Sequence, residues 1–330
     1  MENLLFALNI VLPMAILMAM GYIFKKNGFF TDSFISAGKK FCFYCLLSVS
    51  LFKNLYDSSL EAIPGRLIIF VVIAILCEFV ISFFVAKIIS DNRNQNGVII
   101  QGAVRSNYAY IGIPLATMIF SDAELIALTK SEASVLSIFV IPLFNILSVL
   151  ALVYYSDNDG DEKIVVRTIK NLIKNPCIIA IVCGLLVLGF RALLPGSTFF
   201  IRNNLSFIYK VMEYLASMST PFAFLMVGAS LNFSKSISDM KKLVWVVLLR
   251  ILIFPVVILS VANMTGMFVN VDFAVLVSVF ASPTAVSSAI MVSEIGGDED
   301  LANEIVVYTT VFSILGLLLI IFGLRNMGLI

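Results

Sequence analysis

The stretches SNYAYIGIP, residues 106–114, and ASPTAVSS, residues 281–288, are short polar interruptions in two otherwise apolar halves of the chain. Each contains a proline, and the two lie at matching depths of the two halves. Discontinuous helices at corresponding positions of two repeats are typical of a substrate site near the middle of a bilayer. The pair therefore predicts a transporter with one broken helix in each half of the chain.

The composition predicts a membrane protein. Hydrophobic residues make up 60% of the 330 positions, charged residues make up 13%, and the mean hydropathy is +1.04. Such a chain has too little polar surface to cover a soluble core. The net charge is +1 and the basic residues are spread among loops, so nucleic acid is not an expected partner. The expected surroundings are the lipid bilayer of the cell, or inner, membrane.

Hydropathy indicates an all-α membrane protein with ten transmembrane helices, because a helix needs about 20 apolar residues to cross a hydrocarbon core about 30 Å thick. The predicted spans are residues 4–24, 34–55, 66–89, 98–120, 132–154, 176–194, 207–231, 243–264, 273–295 and 304–324. The second, fourth, seventh and ninth spans are the most polar. The charged residues inside or near them are Lys39, Lys40, Arg105 and Glu213, of which the two lysines and the glutamate are interpreted as interfacial.

The spacing of the spans predicts an internal repeat. Pro114 and Pro283 are 169 positions apart. When this offset is added to spans one, three and five, they fall on spans six, eight and ten within a few residues. We therefore predict two five-helix repeats, 1–155 and 176–330, joined by a cytoplasmic linker at 156–175. Because five is odd, the second repeat must insert from the opposite side of the bilayer, which makes the repeats inverted.

The loops predict the orientation of the chain. Loops after spans one, three, five, seven and nine carry eleven Lys and Arg residues, whereas the opposite side carries seven. Since positive residues favour the cytoplasmic side, both termini are expected to be non-cytoplasmic. The positive charges of the first helix follow its apolar run, so we expect this helix to be retained and not cleaved as a signal peptide.

The residue content excludes several chemistries. The chain has no histidine, which removes histidine acid–base catalysis, Ser-His triads and His-ligated metals. Cys42 and Cys45 form a C-x-x-C in an apolar helix without a partner pair, so packing is the better interpretation. The acidic stretch 156–162 lacks the full twelve-residue calcium loop and is interpreted as a solvated linker. No enzyme activity, cofactor or metal is expected.

The two prolines predict where backbone groups become available. A proline inside a helix frees the carbonyl four residues earlier, here those of Tyr110 and Val279. Such backbone survives in a membrane only beside protein or water. Ser282-Pro283 fits an N-cap followed by proline at the first helical position, so new half-helices are expected to begin at Pro114 and Pro283. Their N–H groups and positive dipole ends would attract an anion. Ordinary proline kinks remain the alternative.

Several motifs together resemble the auxin efflux carrier family, which includes plant PIN proteins and bacterial malate permease-like carriers. They are the stretches 106–115 and 281–285, Asn145, Asn175-Pro176, and Pro221 with Gly228. The resemblance covers the full chain and implies an elevator-type carrier with a fold like that of NhaA and the bile-acid sodium symporters, in which the broken helices four and nine cross each other. In that fold, spans one, two, six and seven form a dimerising scaffold, and spans three to five and eight to ten form the moving transport domain. A homodimer is therefore expected.

The expected substrate site lies where the half-helices meet. Its candidate residues are Arg105, Asn107, Tyr108, Gly112, Pro114, Asn145, Ser282, Pro283, Thr284 and Ser287. Ionisable groups within spans usually face protein or water. Arg105 is accordingly interpreted as part of the anion path or as support for the crossover, with an interfacial arginine as the alternative. Glu78 and Arg250 are expected to lie close enough to pair, either as a structural ion pair or as a coupling site.

These features favour a secondary carrier that exports small organic anions such as malate or other carboxylates. Neither interruption contains Asp or Glu, so the carboxylate pair that a proton antiporter titrates is missing there. Uncoupled export suffices, since a monoanion leaving a cell at 100 mV, negative inside, gains about 2.3 kcal/mol. Two alternatives stay open: a sodium- or proton-coupled symporter, and a membrane sensor that binds its ligand without moving it.

Overall fold

The computed structural model describes residues 2–57, 65–155, 176–193, 200–231 and 240–330. Within these ranges the regular elements are helices, and no strand longer than a single bridge is present. The linker predicted at 156–175 lies outside the described residues.

The described part of the first half of the chain contains six helices. They are α1 (Glu2–Lys26), α2 (Asp32–Asp57), α3 (Gly65–Ile89), α4 (Arg93–Val104), α5 (the π-helical turn Tyr108–Gly112 followed by Ile113–Ala116) and α6 (Ala123–Tyr155). The second half contains seven. They are α7 (Pro176–Leu193), α8 (Phe200–Asn204), α9 (Ser206–Ala229), α10 (Met240–Thr265), α11 (Asn270–Phe280), α12 (Ser287–Ile295) and α13 (Glu299–Asn326).

Seven of the described helices are long and apolar enough to cross a membrane, namely α1, α2, α3, α6, α9, α10 and α13. They coincide with predicted spans one, two, three, five, seven, eight and ten. α7 is apolar over a shorter length, and predicted spans four and nine are each divided into two short helices, α4 with α5 and α11 with α12. The α-helical membrane class is thus confirmed, whereas the count of ten crossings stays a prediction.

The helices recur at a nearly constant separation, but not at the predicted one. The starts of α3 and α10, of α4 and α11, and of α6 and α13 are 175, 177 and 176 positions apart. The predicted offset of 169 residues is therefore about two helical turns too short. It came from matching Pro114 with Pro283, and these prolines occupy different places in the two halves. The recurrence supports the repeat hypothesis, and the opposite insertion of the two halves stays a prediction.

The helices pack in two groups. In the first group α1 packs along α9, and α2 packs against α7 and α9; in the second, α3, α4 and α6 pack with α10, α11, α12 and α13. α1 and α9 meet at backbone contact, because a Cβ on Gly228 would lie 1.9 Å from the Met18 carbonyl oxygen and one on Gly21 would lie 2.1 Å from that of Leu225. Small residues allow such close packing in lipid, where apolar burial does not drive helix association.

The second group contains the crossing of the two broken helices. α4 ends at Val104 and α11 ends at Phe280, and the chain beyond each is non-helical for a few residues. Ser106 and Thr284 then pair as an isolated antiparallel bridge. Its hydrogen bonds run from the Asn107 N–H to the Pro283 carbonyl at 2.7 Å and from the Ala285 N–H to the Arg105 carbonyl at 3.0 Å. Each break thus satisfies backbone groups of the other, as groups shielded from water require.

The half-helices resume at Tyr108 and Ser287, so the prediction that they begin at Pro114 and Pro283 is wrong. Pro114 lies inside α5, immediately after a π-helical turn whose wider i→i+5 bonding suits a residue that has no N–H. Pro283 lies in the extended bridge, where only its carbonyl is used. Ser282 is accordingly not an N-cap, and that position is taken by Val286.

Candidate substrate site at the helix crossover

Arg250 holds the carbonyl ends of both broken helices. Its side chain is fully buried, at 0% exposure, and lies in the π-helical turn Leu249–Ile253 of α10. Its guanidinium donates to three carbonyls within 3.0 Å, those of Ser282 (2.8 Å), Val279 (2.9 Å) and Val104 (3.0 Å). The sequence predicted that the Val279 carbonyl would need a partner, and Arg250 supplies it. A cation at the C-terminal ends of two helices also matches the sign of both dipoles.

Glu78 of α3 faces Arg250, as predicted from the sequence. Its Oε2 lies 3.9 Å from Nη1 of Arg250, and its side chain is 1% exposed. This is an ion pair without a hydrogen bond, because neither carboxylate oxygen has a hydrogen-bond partner among the described residues. The Ser82 hydroxyl, one turn further along α3, is buried and equally unpartnered. The pair therefore balances charge at the crossover without fixing its geometry.

Asn107 presents an unused donor at the start of α5. Its side chain is 3% exposed, and Nδ2 has no hydrogen-bond partner among the described residues. Its backbone is fully engaged, since the carbonyl accepts from the N–H groups of Ile111 and Gly112. A buried amide left without a partner costs about 1 to 3 kcal/mol. Asn107 is thus placed to donate to a bound group at a helix N-terminus, where negative charge is favoured.

Arg105 and Asn145 are brought together by the fold. Nη2 of Arg105 donates to Oδ1 of Asn145 at 2.6 Å, and Nη1 lies 3.7 Å from the sulfur of Met291. Arg105 is 7% exposed, and no carboxylate of the described residues lies within 4.0 Å of it. An interfacial, snorkelling arginine is therefore the wrong interpretation. Burial of a cation without a counter-charge costs several kcal/mol, so the site is electrostatically prepared for an anion.

The other buried candidates hold the crossover together. The Tyr108 hydroxyl donates to the Ala133 carbonyl at 2.9 Å, that of Thr284 to Gly102 at 2.6 Å and that of Ser282 to Ser278 at 2.7 Å. A Cβ on Gly112 would lie 2.4 Å from the Ser278 carbonyl oxygen, so this glycine permits α5 to pack on α11. Because these three hydroxyl protons are already donated within the protein, a substrate oxygen competes with existing bonds there.

Two cavities flank the crossover, and the remaining candidates line them. Cavity A, about 320 Å³, lies between α2, α5, α6 and α9 and includes Pro114. Cavity B, about 180 Å³, lies between α2, α5, α9 and α12 and includes Tyr110 and Ser287. α5 therefore runs from one cavity to the other. Arg105 and Asn107 line neither of these two cavities and are themselves buried, so the crossover is not open to either cavity in this conformation.

The predicted list of site residues omits three polar groups that the structure places at the crossover. The Ser106 and Ser288 hydroxyls are buried at the crossover and have no hydrogen-bond partner among the described residues. Glu132 also has an unpartnered oxygen, and it precedes Ala133, whose carbonyl accepts the bond from Tyr108. The two serines stood inside the motifs and could have been singled out. Glu132 lies at the start of a predicted span, and only the tertiary structure brings it beside the crossover.

The comparison with known families agrees with this architecture. A sequence model of the family described as membrane transport protein matches residues 6–321, which include both interruptions. A search of the curated proteins finds no match to the chain. The family model spans nearly all of the described helices, so the chain belongs to the membrane transport protein family, the auxin efflux carrier and PIN-like group.

Proposed function

We propose that this membrane transporter is a secondary carrier of small organic anions, such as malate or other carboxylates, and that it works in the export direction. The observation that carries the proposal is the buried Arg105, which lies in the same crossover as Nδ2 of Asn107. Among the described residues, Arg105 has no counter-charge and this Nδ2 has no hydrogen-bond partner. A substrate carboxylate would neutralise the charge of Arg105 and accept a hydrogen bond from Nδ2 of Asn107. Hydrogen bonds to a charged group are roughly twice as strong as those between neutral groups.

Alternating access of an elevator type fits this arrangement. The crossover belongs to the group formed by α3–α6 and α10–α13, and cavities A and B both lie where this group faces α2 and α9. Sliding of one group past the other would expose the closed site first to one cavity and then to the other. A homodimer through α2 and α9, as the family resemblance implies, is the second part of this proposal. Phe207, Val211, Tyr214 and Met218 of α9 are exposed and so remain available for such an interface.

A sodium- or proton-coupled symporter is the second candidate. It is favoured by Glu78 and Glu132, two carboxylates in the transport group with buried oxygens that accept no hydrogen bond among the described residues. Buried ionisable groups within spans commonly mark proton or ion relays. Flux into proteoliposomes with and without a proton or sodium gradient separates the two candidates. Counterflow of labelled substrate separates both from a sensor, because a sensor moves nothing.

Substrate affinity of folded variants tests the site. A thermal-shift screen of the purified protein against malate and other carboxylates first identifies a ligand. Calorimetry should then show that Asn107→Ala weakens binding roughly ten- to a hundred-fold, the equivalent of about 1.5 to 3 kcal/mol for a charge-assisted bond. Arg105→Gln should weaken it at least as much, and Arg105→Lys should weaken it less.

Ser282→Ala is the matched control, because its hydroxyl already donates to the Ser278 carbonyl at 2.7 Å. Its ligand affinity should change by less than about threefold, since a hydroxyl proton already in use adds little to binding. Unchanged affinity in both Asn107→Ala and Arg105→Gln would place the substrate elsewhere in the protein and reject this site.

A further inference from the structure

Cavity B has an apolar wall and a cationic rim. Phe43 of α2 stacks on Tyr110 of α5 with ring centroids 5.9 Å apart and planes 15° apart, and Met226 and Val286 extend the apolar surface. Lys39 and Lys40 line the same cavity. From the sequence these two lysines are expected at the membrane interface, and the fold places them at the approach to the crossover.

The charge of this rim is not compensated. No Asp or Glu of the described residues lies within 4.0 Å of the ammonium group of Lys39 or Lys40. The charged neighbour that acts electrostatically on Lys39 is another cation, Lys25, whose own partner is Asp32 at 2.9 Å. Ser287 opens α12 on the opposite wall, so the partial positive charge of a helix N-terminus adds to the same field.

Cavity A differs in this respect, although it also contains two lysines. Lys53 pairs with Asp57 at 2.7 Å and lies over the ring of Tyr209. Lys130 shares the cavity with Glu213. The lining of cavity A thus carries two lysines and one glutamate, and one of these lysines is paired with Asp57, which lies outside the lining. Among the described residues, the charged side chains that line cavity B are both basic. The two approaches to one closed site therefore differ in electrostatic potential.

We infer that cavity B is the loading vestibule for the substrate anion, with Lys39 and Lys40 as its docking cations. The inference rests on the proposed function and adds the side on which substrate is captured. A cavity lined by one sign of charge concentrates the opposite ion and raises its rate of association. An uncoupled carrier cannot change the equilibrium distribution of its substrate across the membrane. It can, however, have a lower KM for the substrate on one side of the membrane than on the other. By the distribution of basic loops, cavity B faces the cytoplasm, which is the side from which an exporter loads.

The potential of cavity B can be measured without any substrate. Ser230 lines the cavity, and Ser230→Cys, in a background with the five native cysteines replaced, can be modified by an anionic or a cationic methanethiosulfonate reagent. We expect the anionic-to-cationic rate ratio to fall roughly tenfold in Lys39→Gln and further in the double variant with Lys40→Gln, because each charge acts on the two reagents with opposite sign. Lys39→Arg should keep the ratio. Lys241→Gln, an exposed lysine outside the cavity, is the matched control.

Labelled malate then tests loading, in right-side-out and everted membrane vesicles. The vesicles that present cavity B are those in which an impermeant reagent reaches the cysteine at position 230. In these vesicles Lys39→Gln should raise the KM roughly three- to tenfold with little change in kcat, and uptake through cavity A should change less. An unchanged reagent ratio, or an equal rise of KM in Lys241→Gln, overturns the inference and leaves the anion carrier in place. Absence of carboxylate flux in the unsubstituted protein rejects the proposed function instead.

Discussion

Arg250→Met should destabilise the protein far more than Glu78→Gln does, although the two residues form one ion pair. Arg250 donates hydrogen bonds to three backbone carbonyls within 3.0 Å. Its side chain is fully buried, so water does not reach it. Glu78 is equally buried but accepts no hydrogen bond among the described residues. The methionine keeps most of the apolar volume, so the substitution removes the charge and the donors and leaves little cavity.

The magnitude follows from what each change leaves behind. Without Arg250, the Glu78 carboxylate is a buried charge with no partner, and breaking a buried pair in this way costs about 3 to 5 kcal/mol. Three carbonyls also lose their donor, at about 1 to 3 kcal/mol each. The sum, roughly 6 to 14 kcal/mol, is comparable with the whole stability of a typical domain. For Glu78→Gln, the lost attraction, about 4 kcal/mol near 4 Å at an effective dielectric constant of about 20, is offset by a desolvation penalty of several kcal/mol. Arg250 also keeps its three carbonyl acceptors in this variant, so it is not left without partners. A net change within about 2 kcal/mol is therefore expected.

Thermal unfolding in mild detergent, followed by the fraction of monodisperse protein, provides the measurement. Arg250→Met should yield no stable fraction or an apparent Tm lower by roughly 10 °C or more, and Arg250→Lys should be intermediate because it keeps the charge. The double variant Glu78→Gln/Arg250→Met should recover about 3 kcal/mol relative to Arg250→Met, since the unpaired carboxylate is gone. An apparent Tm of Arg250→Met within a few degrees of the unsubstituted protein would refute the role assigned to this residue.

Three further predictions concern the crossover, the topology and the assembly. Gly112→Ala should lower both the apparent Tm and transport, because the new Cβ would lie 2.4 Å from the Ser278 carbonyl oxygen, and a normal Tm would show that α5 can shift away. Cysteines introduced at Asn158 and after Arg325 should label from opposite sides of the membrane, Asn158 from the cytoplasm, and labelling from one side in intact cells would contradict the inverted repeats. Native mass measurement in mild detergent should show a dimer, and a monomer at every concentration would count against the interface through α2 and α9.

Several features of the fold could be predicted because apolar length and turn chemistry are local properties. Seven predicted spans coincide with helices long enough to cross a membrane, and the two polar interruptions do mark the broken helices. The internal offset could not be predicted, because the prolines seemed to be equivalent landmarks. Pro114 proved to lie inside α5, after a π-helical turn that accommodates it, and Pro283 lies in the extended bridge. A proline in the sequence shows only that one backbone N–H is missing. Whether a helix ends there depends on how the surrounding backbone is hydrogen-bonded.

The sequence by itself determined the membrane class, the positions of the two breaks and the presence of Arg105 and Asn107 at one of them, because hydropathy and the polar motifs are written along the chain. The tertiary structure alone decided how these residues are used. It places Arg250 of α10 on the carbonyls of two other helices, joins Arg105 to Asn145 across 40 positions and leaves Nδ2 of Asn107 without a hydrogen-bond partner among the described residues. It also gives the two cavities different charges. Lys39 and Lys53 belong to the same helix, α2, but Lys39 lines cavity B and Lys53 lines cavity A. Whether a buried polar group is satisfied depends on side chains far away in sequence, and only the packed molecule brings them within hydrogen-bond distance.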